Sequence, residues 1–318
     1  MTLKSLLLTA ALTTSSLVFA ANDPATDNPL LPVGQDPNPA LPYDLNYPFA
    51  YFELDEILKN ISGLSSTNDP NTVASLGSDE GKLYMINKKT GKIASSAFFV
   101  TEGDFQSIEF VRDTAFALKS NGQLYKIWNL RGAQKSVKMI KTNFPRTASL
   151  SGMTYDIANN RLLISAKGQK EGEFSREIYA YDVKTGQSSP EPVYEITLAS
   201  FKGFLANKSD KQYVKLREDY VSKASTKSFD FVPSSLAIHP LTGNLYVVSS
   251  VNQVLLVMNT QGEILEMTKL KKESHLQPQG ICFDEEGTMF IANEAKDGTP
   301  AKLYEYKMQK TAITASRK

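Results

Sequence analysis

The stretch from Ser234 to Val257 decides the fold. It reads Ser234-Ser235-Leu236-Ala237-Ile238, then a turn at Pro240-Leu241-Thr242-Gly243, then Leu245-Tyr246-Val247-Val248-Ser249, then Val254-Leu255-Leu256-Val257. Short apolar runs rich in Val, Ile, Leu and Tyr, cut by Gly, Pro and Asn, read as consecutive strands. The same order recurs along the chain. First strands return at Ser62-Gly63-Leu64, Gln106-Ser107-Ile108-Glu109-Phe110, Ser151-Gly152-Met153-Thr154-Tyr155-Asp156 and Gln279-Gly280-Ile281-Cys282-Phe283-Asp284. Second strands match at Phe116-Ala117-Leu118, Leu162-Leu163-Ile164-Ser165 and Met289-Phe290-Ile291-Ala292. Third strands follow at Leu83-Tyr84-Met85-Ile86, Leu124-Tyr125-Lys126-Ile127, Ile178-Tyr179-Ala180-Tyr181 and Leu303-Tyr304-Glu305-Tyr306.

The units begin at Ser62, Gln106, Ser151, Ser234 and Gln279, which sets them 44, 45, 83 and 45 residues apart. Four-stranded repeats of this length are the blades of a β-propeller. The long gap holds one unit plus a lysine-rich insertion at about residues 201–229, helix-like near Asp210 to Ser222, so the reading is an all-β propeller of five blades, with six as the alternative. Asp210, Glu218 and Asp219 interleave with the lysines of the insertion, and this reads as a solvated charged face. No strand remains after Tyr306 to finish the last blade, and Phe49-Ala50-Tyr51-Phe52-Glu53-Leu54 has no unit of its own. An unfinished blade leaves a bare edge. The N-terminal segment is therefore expected to supply the missing outer strand. The propeller spans 49–309, and 310–318 reads as a frayed tail.

Residues 1–20 read as a secretory signal peptide: Lys4 precedes an apolar stretch from Leu6 to Phe19, and Val18-Phe19-Ala20 places small residues at a cleavage site. A membrane anchor is the rival reading, but Thr9, Thr13, Thr14, Ser15 and Ser16 dilute the run and it is short for a bilayer. No stable membrane insertion is expected after cleavage, and the location is periplasmic or secreted. Residues 21–48, dense in proline, read as an extended arm. With 35 basic against 34 acidic residues the chain lacks the basic excess of a nucleic-acid binder. Cys282 is the only cysteine, so stability comes from a core rather than from an internal disulfide.

Strand one begins, and strand two ends, on the same rim of a propeller, so two rings of residues are expected at one mouth. Ser62, Gln106, Ser151, Ser234 and Gln279 form the first. Asp79, Glu80, Lys119, Ser120, Lys167, Ser249, Ser250, Asn293 and Glu294 form the second. Rigid strands hold them while the loops around them vary, which suits a ligand pocket. Catalytic arrangements are missing. The two histidines, His239 and His275, sit in a turn and a loop and read as surface or turn residues; no Gly-x-Ser-x-Gly elbow occurs. Cys282 lies in an apolar strand and reads as a packed thiol. Asp284-Glu285-Glu286-Gly287 lacks the remaining ligands of a calcium loop and reads as the turn between two strands.

The blade motifs resemble those of the SdiA-regulated family. Gly103-Asp104-Phe105-Gln106-Ser107-Ile108-Glu109 with Asp113 to Gly122 resembles a second blade of that family; Tyr155-Asp156 with Asn160-Arg161-Leu162-Leu163, Ala237 to Gly243, Gln277 to Ile281 and Phe290 to Glu294 are similar as well. The likeness covers about residues 50–307. It implies a five-bladed propeller of the bacterial envelope and an apparent calcium site on carboxylates at the starts of first strands. The matching positions here are Gln106, Ser151 and Gln279, all without a carboxylate. Calcium affinity follows the number of charged oxygens, so the site is expected to be weak or lost and no cofactor is expected.

Two functions stand against each other. One is a non-enzymatic binding or scaffold propeller taking a small ligand or an envelope protein at the channel mouth. The other is a calcium-assisted hydrolase of phytase-like, esterase-like or lactonase-like type, disfavoured by the missing carboxylates.

Overall fold

A computed structural model describes residues 40–132, 135–145, 149–168, 174–222 and 229–309. Twenty strands lie in five antiparallel sheets of four. The chain opens with β1 (Ala50–Glu53). Blade one holds β2 (Ile61–Ser66), β3 (Thr72–Gly77), β4 (Gly81–Asn87) and β5 (Ile93–Val100); blade two holds β6 (Phe105–Val111), β7 (Thr114–Lys119), β8 (Gln123–Trp128) and β9 (Ser136–Lys141). Blade three follows with β10 (Leu150–Asp156), β11 (Arg161–Ala166), β12 (Ser175–Asp182) and β13 (Tyr194–Thr197), and blade four with β14 (Pro233–Ile238), β15 (Leu245–Ser249), β16 (Val254–Met258) and β17 (Ile264–Lys269). Blade five joins β18 (Pro278–Phe283), β19 (Met289–Asn293) and β20 (Lys302–Tyr306) to β1. In register, Ala50 faces Glu305 and Glu53 faces Lys302. The ring is five-bladed and closed by the N-terminal strand, which removes the bare edge of β20.

Inner strands pack side by side around the axis, and small residues permit it. A Cβ on Gly63, whose φ is +69°, would stand 2.7 Å from Ser107 Cα, and one on Gly152 would stand 2.8 Å from Ser235 Cα. Each inner pair is also bulged near its start: between Ser62 and Ser65, Phe105 and Ser107, Leu150 and Met153, Pro233 and Ser235, and Pro278 and Gly280. A bulge bends the strand and frees backbone groups from the ladder. Freed groups inside a protein need partners. Hydroxyls of the neighbouring blade supply them. Ser62, Ser151 and Ser234 donate to the carbonyls of Gln106, Pro233 and Pro278 at 3.0, 2.7 and 2.7 Å. One layer on, Met153 N and Ile281 N donate to Ser107 Oγ and Ser235 Oγ, both at 3.1 Å. Below that, Phe110 N donates to Ser65 Oγ, Tyr155 N to Glu109 Oε1 and Ile238 N to Thr154 Oγ1.

Two segments depart from the sequence reading. The end of the proline-dense arm is packed rather than extended: Tyr43 and Leu45 are buried, Tyr246 donates to the carbonyl of Ala40 and Gln309 N to that of Pro42. Leu41, Tyr43 and Leu45 alternate and present one apolar edge to the cluster around Tyr246, Phe283 and Tyr306. Residues 21–39 of the arm, the signal-peptide region 1–20 and the tail 310–318 lie outside the described residues.

The insertion is the second departure. Helix α1 starts at Leu198 and runs to Ala206, capped by Thr197 and Ser200 in a reciprocal box. A 3-10 turn (Lys211–Tyr213), helix α2 (Val214–Arg217) and a π turn (Glu218–Ser222) follow. Phe201, Leu205, Tyr213, Leu216, Tyr220 and Phe229 are buried and join the core of blades three and four through Ile196, Val247, Val254 and Met267. Phe201 meets Tyr220, Phe229 and Phe231 edge-on at 4.9, 5.0 and 5.1 Å. So the segment is an aromatic cap with lysines outside, not merely a solvated face. The spacing of Phe201 and Leu205, and of Tyr213, Leu216 and Tyr220, is that of an amphipathic helix.

Candidate functional site

Strand two of each blade ends, and strand one begins, at the same mouth. Side chains from blades one, two, three and five meet there. Lys167, just past β11, donates to Gln106 Oε1 at 2.7 Å, across 61 residues of chain. Gln106 donates in turn to Asp104 Oδ1 at 3.1 Å, and Ser120 donates to the other oxygen of Asp104. Gln279 donates to Glu294 Oε2 at 3.3 Å. Asn60 holds Asp79 Oδ2 at 2.9 Å, and Lys296 donates to Gln277 Oε1 at 2.8 Å.

Electrostatics tie these pairs together over the axis. Burial pushes the Lys167 ammonium below the usual lysine range, and the carboxylates of Asp104 and Glu294 pull it back. Burial raises the Glu294 carboxyl; Gln279, Lys167 and Lys296 oppose this, and Asp79 adds to it. The mouth is thus a mixed cluster of acids, carboxamides and one desolvated lysine. It presents donors and acceptors from different blades within a single electrostatic neighbourhood.

Of the residues expected here, Asp79, Gln106, Ser120, Lys167, Gln279 and Glu294 stand in this cluster. The others do not. Ser62, Ser151 and Ser234 are buried, each with its hydroxyl donated to the next blade's backbone, so they stitch the ring instead of lining a pocket. Ser249 is buried too, accepting from Val232 N and donating to Val251 O. Successive side chains on a strand point to opposite sides, which separates neighbours in sequence. Lys119, beside Ser120, turns into the gap between blades, paired with Glu102 at 3.1 Å over the Phe105 ring. Asn293, beside Glu294, is buried against His275 Nδ1 at 3.0 Å. Glu80 approaches Lys82 at 3.9 Å and has no contact with the cluster. Ser250 is half-buried in the turn after β15.

Asp104 was not anticipated, although it lies two residues before Gln106 as Gln277 lies two before Gln279. That repeat of a polar residue at the same offset was the available signal.

The two histidines and the cysteine are buried and engaged in the interior. Both histidines are fully buried, which corrects the surface half of their reading, while His239 does hold the turn that follows it. His239 Nε2 bonds the Tyr43 hydroxyl at 2.8 Å while Nδ1 accepts from Leu241 N and Thr242 N; His275 lies between Asn293 and Tyr306. Burial lowers each imidazole to about 4. Cys282 is a free, buried thiol pushed up by burial, with Glu109 and Asp284 adding to the shift.

The calcium site implied by the family does not fit these residues. At its matching positions Gln106 Oε1 already accepts from an ammonium, Ser151 donates to Pro233 O inside the core, and Gln279 presents an amide donor to Glu294. Among the described residues no group of three or more His, Cys, Asp or Glu is disposed to hold a metal ion.

A five-bladed ring with a polar mouth defines a propeller protein. Residues 43–307 match the family described as SdiA-regulated, and the chain belongs to that family. No curated protein sequence matches it. Among solved structures it is similar to the glutaminyl cyclase of Myxococcus xanthus, with a TM-score of 0.54 at 10% identity over 82% of this chain and 95% of that one. A luciferin-regenerating enzyme aligns at 0.46 and 11% identity over 81% and 95% of the two chains. The virginiamycin B lyase of Staphylococcus aureus aligns at 0.42 and 14% identity over 78% and 66%. The likeness to the cyclase shows a shared fold and nothing of activity.

Proposed function

We propose that this SdiA-regulated propeller is an exported, non-enzymatic binding protein that takes a small polar ligand, or a polar tip of an envelope protein, at the channel mouth. The carrying observation is the convergence of Asp104, Gln106, Lys167, Gln279 and Glu294 at one rim, while His239, His275 and Cys282 are buried elsewhere. A desolvated ammonium flanked by carboxylates and carboxamides has hydrogen-bonding capacity to exchange with a ligand. The two histidines and the cysteine, which could serve as base or nucleophile, are buried outside this cluster. Export is supported by the character of residues 1–20, and weak calcium affinity by the loss of carboxylates at Gln106, Ser151 and Gln279.

Native mass spectrometry of protein purified from its host tests the reading. The expected result is a bound species that disappears when Lys167→Met and Glu294→Gln are combined. Retention of that species in the double variant would sink the reading, as would turnover of a phosphate and ester panel tried with and without calcium. Micromolar calcium affinity by calorimetry, lost with Gln106→Ala and Gln279→Ala, would overturn the metal part.

A further inference from the structure

The face opposite the mouth carries a second concavity. Between blades one and two, a cleft of about 700 Å³ opens beside the turns that follow β2, β6 and β8. Its origin is local. On β5 the side chains that share the cleft face with Leu83 and Met85 are Ala97 and Ser95, where the matching positions on the outer strand of blade two are Ile140 and Lys138. The missing side-chain volume leaves a gap that the neighbouring turn, Asn129–Gly132, roofs without filling.

The floor is apolar, built by Leu83, Met85, Phe110 and Leu130. At the rim stand Arg131 and Lys135. Among the described residues neither has an ion-pair or hydrogen-bond partner, whereas the two rim acids are engaged: Asp113 accepts from Asn68 Nδ2 at 2.7 Å and Asp69 from Asn71 N at 2.9 Å. Small-molecule sites fall in the range of about 300–1,000 Å³, with apolar walls and a few placed polar groups. An arginine presents a planar fork suited to carboxylate or phosphate.

We propose that this cleft binds one organic anion with an apolar body, its anionic head on Arg131 and Lys135 and its body against Leu83, Met85, Phe110 and Leu130. The site is separate from the mouth and does not depend on what the mouth binds.

Calorimetry on the full chain with decanoate, decyl phosphate, decanol and decylamine tests it. At least one of the two anions is expected to bind saturably, one per chain, at least tenfold tighter than the alcohol or the amine. The ratio of the two anions then tells a carboxylate head from a phosphate head. Arg131→Gln with Lys135→Gln is expected to weaken the anion at least tenfold and leave decanol unchanged. Ser95→Trp, an exposed position on the same face as Met85, is expected to fill the cleft and abolish binding while the melting curve stays that of the parent. Absence of saturable anion binding, equal or tighter binding of decanol or decylamine, or an unchanged affinity in either variant overturns the proposal.

Discussion

Glu109 is the most exposing test of the stitched ring. Its carboxyl sits on β6 in the layer with Ser65, Thr154, Ala237 and Cys282, and Oε1 accepts from Tyr155 N at 3.2 Å. The side chain is half-buried. Burial pushes the carboxyl up to about 8, against the opposing pull of Tyr155 N and Ser65. The folded protein therefore holds Glu109 protonated at pH 7, while the unfolded chain ionises it near the ordinary value of 4.5. A pKa raised on folding contributes its full stability below 4.5 and loses it as pH rises through 8. With about 1.4 kcal/mol per unit, the loss approaches about 5 kcal/mol at pH 9, an upper value because the side chain is only half-buried and solvent screens the charge. Glu109→Gln keeps an oxygen for Tyr155 N and removes the titration. Guanidinium unfolding of parent and variant at pH 4.5, 7 and 9 measures the difference. The variant's advantage is expected to be smallest at pH 4.5 and to grow to several kcal/mol at pH 9. A difference that stays constant across these pH values would refute the burial argument and the tight inner ring with it.

The buried histidines act at the other end of the pH scale. Each has a folded value near 4, below the unfolded 6.5, so stability present above 6.5 is lost as pH falls through 4, by about 3 kcal/mol per histidine; His239→Gln should flatten that acid limb in a pH series of denaturation midpoints. Gly63→Ala places a Cβ 2.7 Å from Ser107 Cα at a φ of +69°, and a drop of about 3 kcal/mol in unfolding free energy is expected; a loss under 1 kcal/mol would mean the inner strands stand further apart. Tyr43→Phe removes the hydroxyl that bonds His239 Nε2 and Gly287 O, leaving buried partners unpaired at a cost of about 1–3 kcal/mol. Limited proteolysis should then cut within residues 40–48 sooner than in the parent. A chain starting at Asp55 lacks β1 and bares β20; size-exclusion chromatography is expected to show aggregation, and a stable monomer would contradict the closure.

Much of the fold was legible because propeller blades are local. Apart from β1, each strand pairs with its neighbour in sequence within its sheet, and the turns Pro240–Gly243 and Asp284–Gly287 fall where Gly and Pro or acidic residues mark them. Closure by residues 50–53 followed from counting strands and finding one blade short. The mouth was half legible. Repeat geometry named the rim, but it did not say which of two adjacent residues faces the axis: Ser120 and Glu294 join the cluster while Lys119 and Asn293 turn away. The lysines of the insertion dominate its sequence, while the helical spacing of its Phe, Leu and Tyr positions marks the face it buries.

Strand order and the shared rim were set by periodicity in the chain itself, because alternation and turn chemistry act between residues close in sequence; the choice of five blades over six came from the sheets. Burial was not. Ser62 and Ser107 find their partners 44 and 46 residues away in the next blade, and Tyr43 reaches His239 across 196 residues. Whether a hydroxyl meets a ligand, or a histidine meets water, depends on what neighbouring blades place against it, and only the closed ring brings those neighbours together.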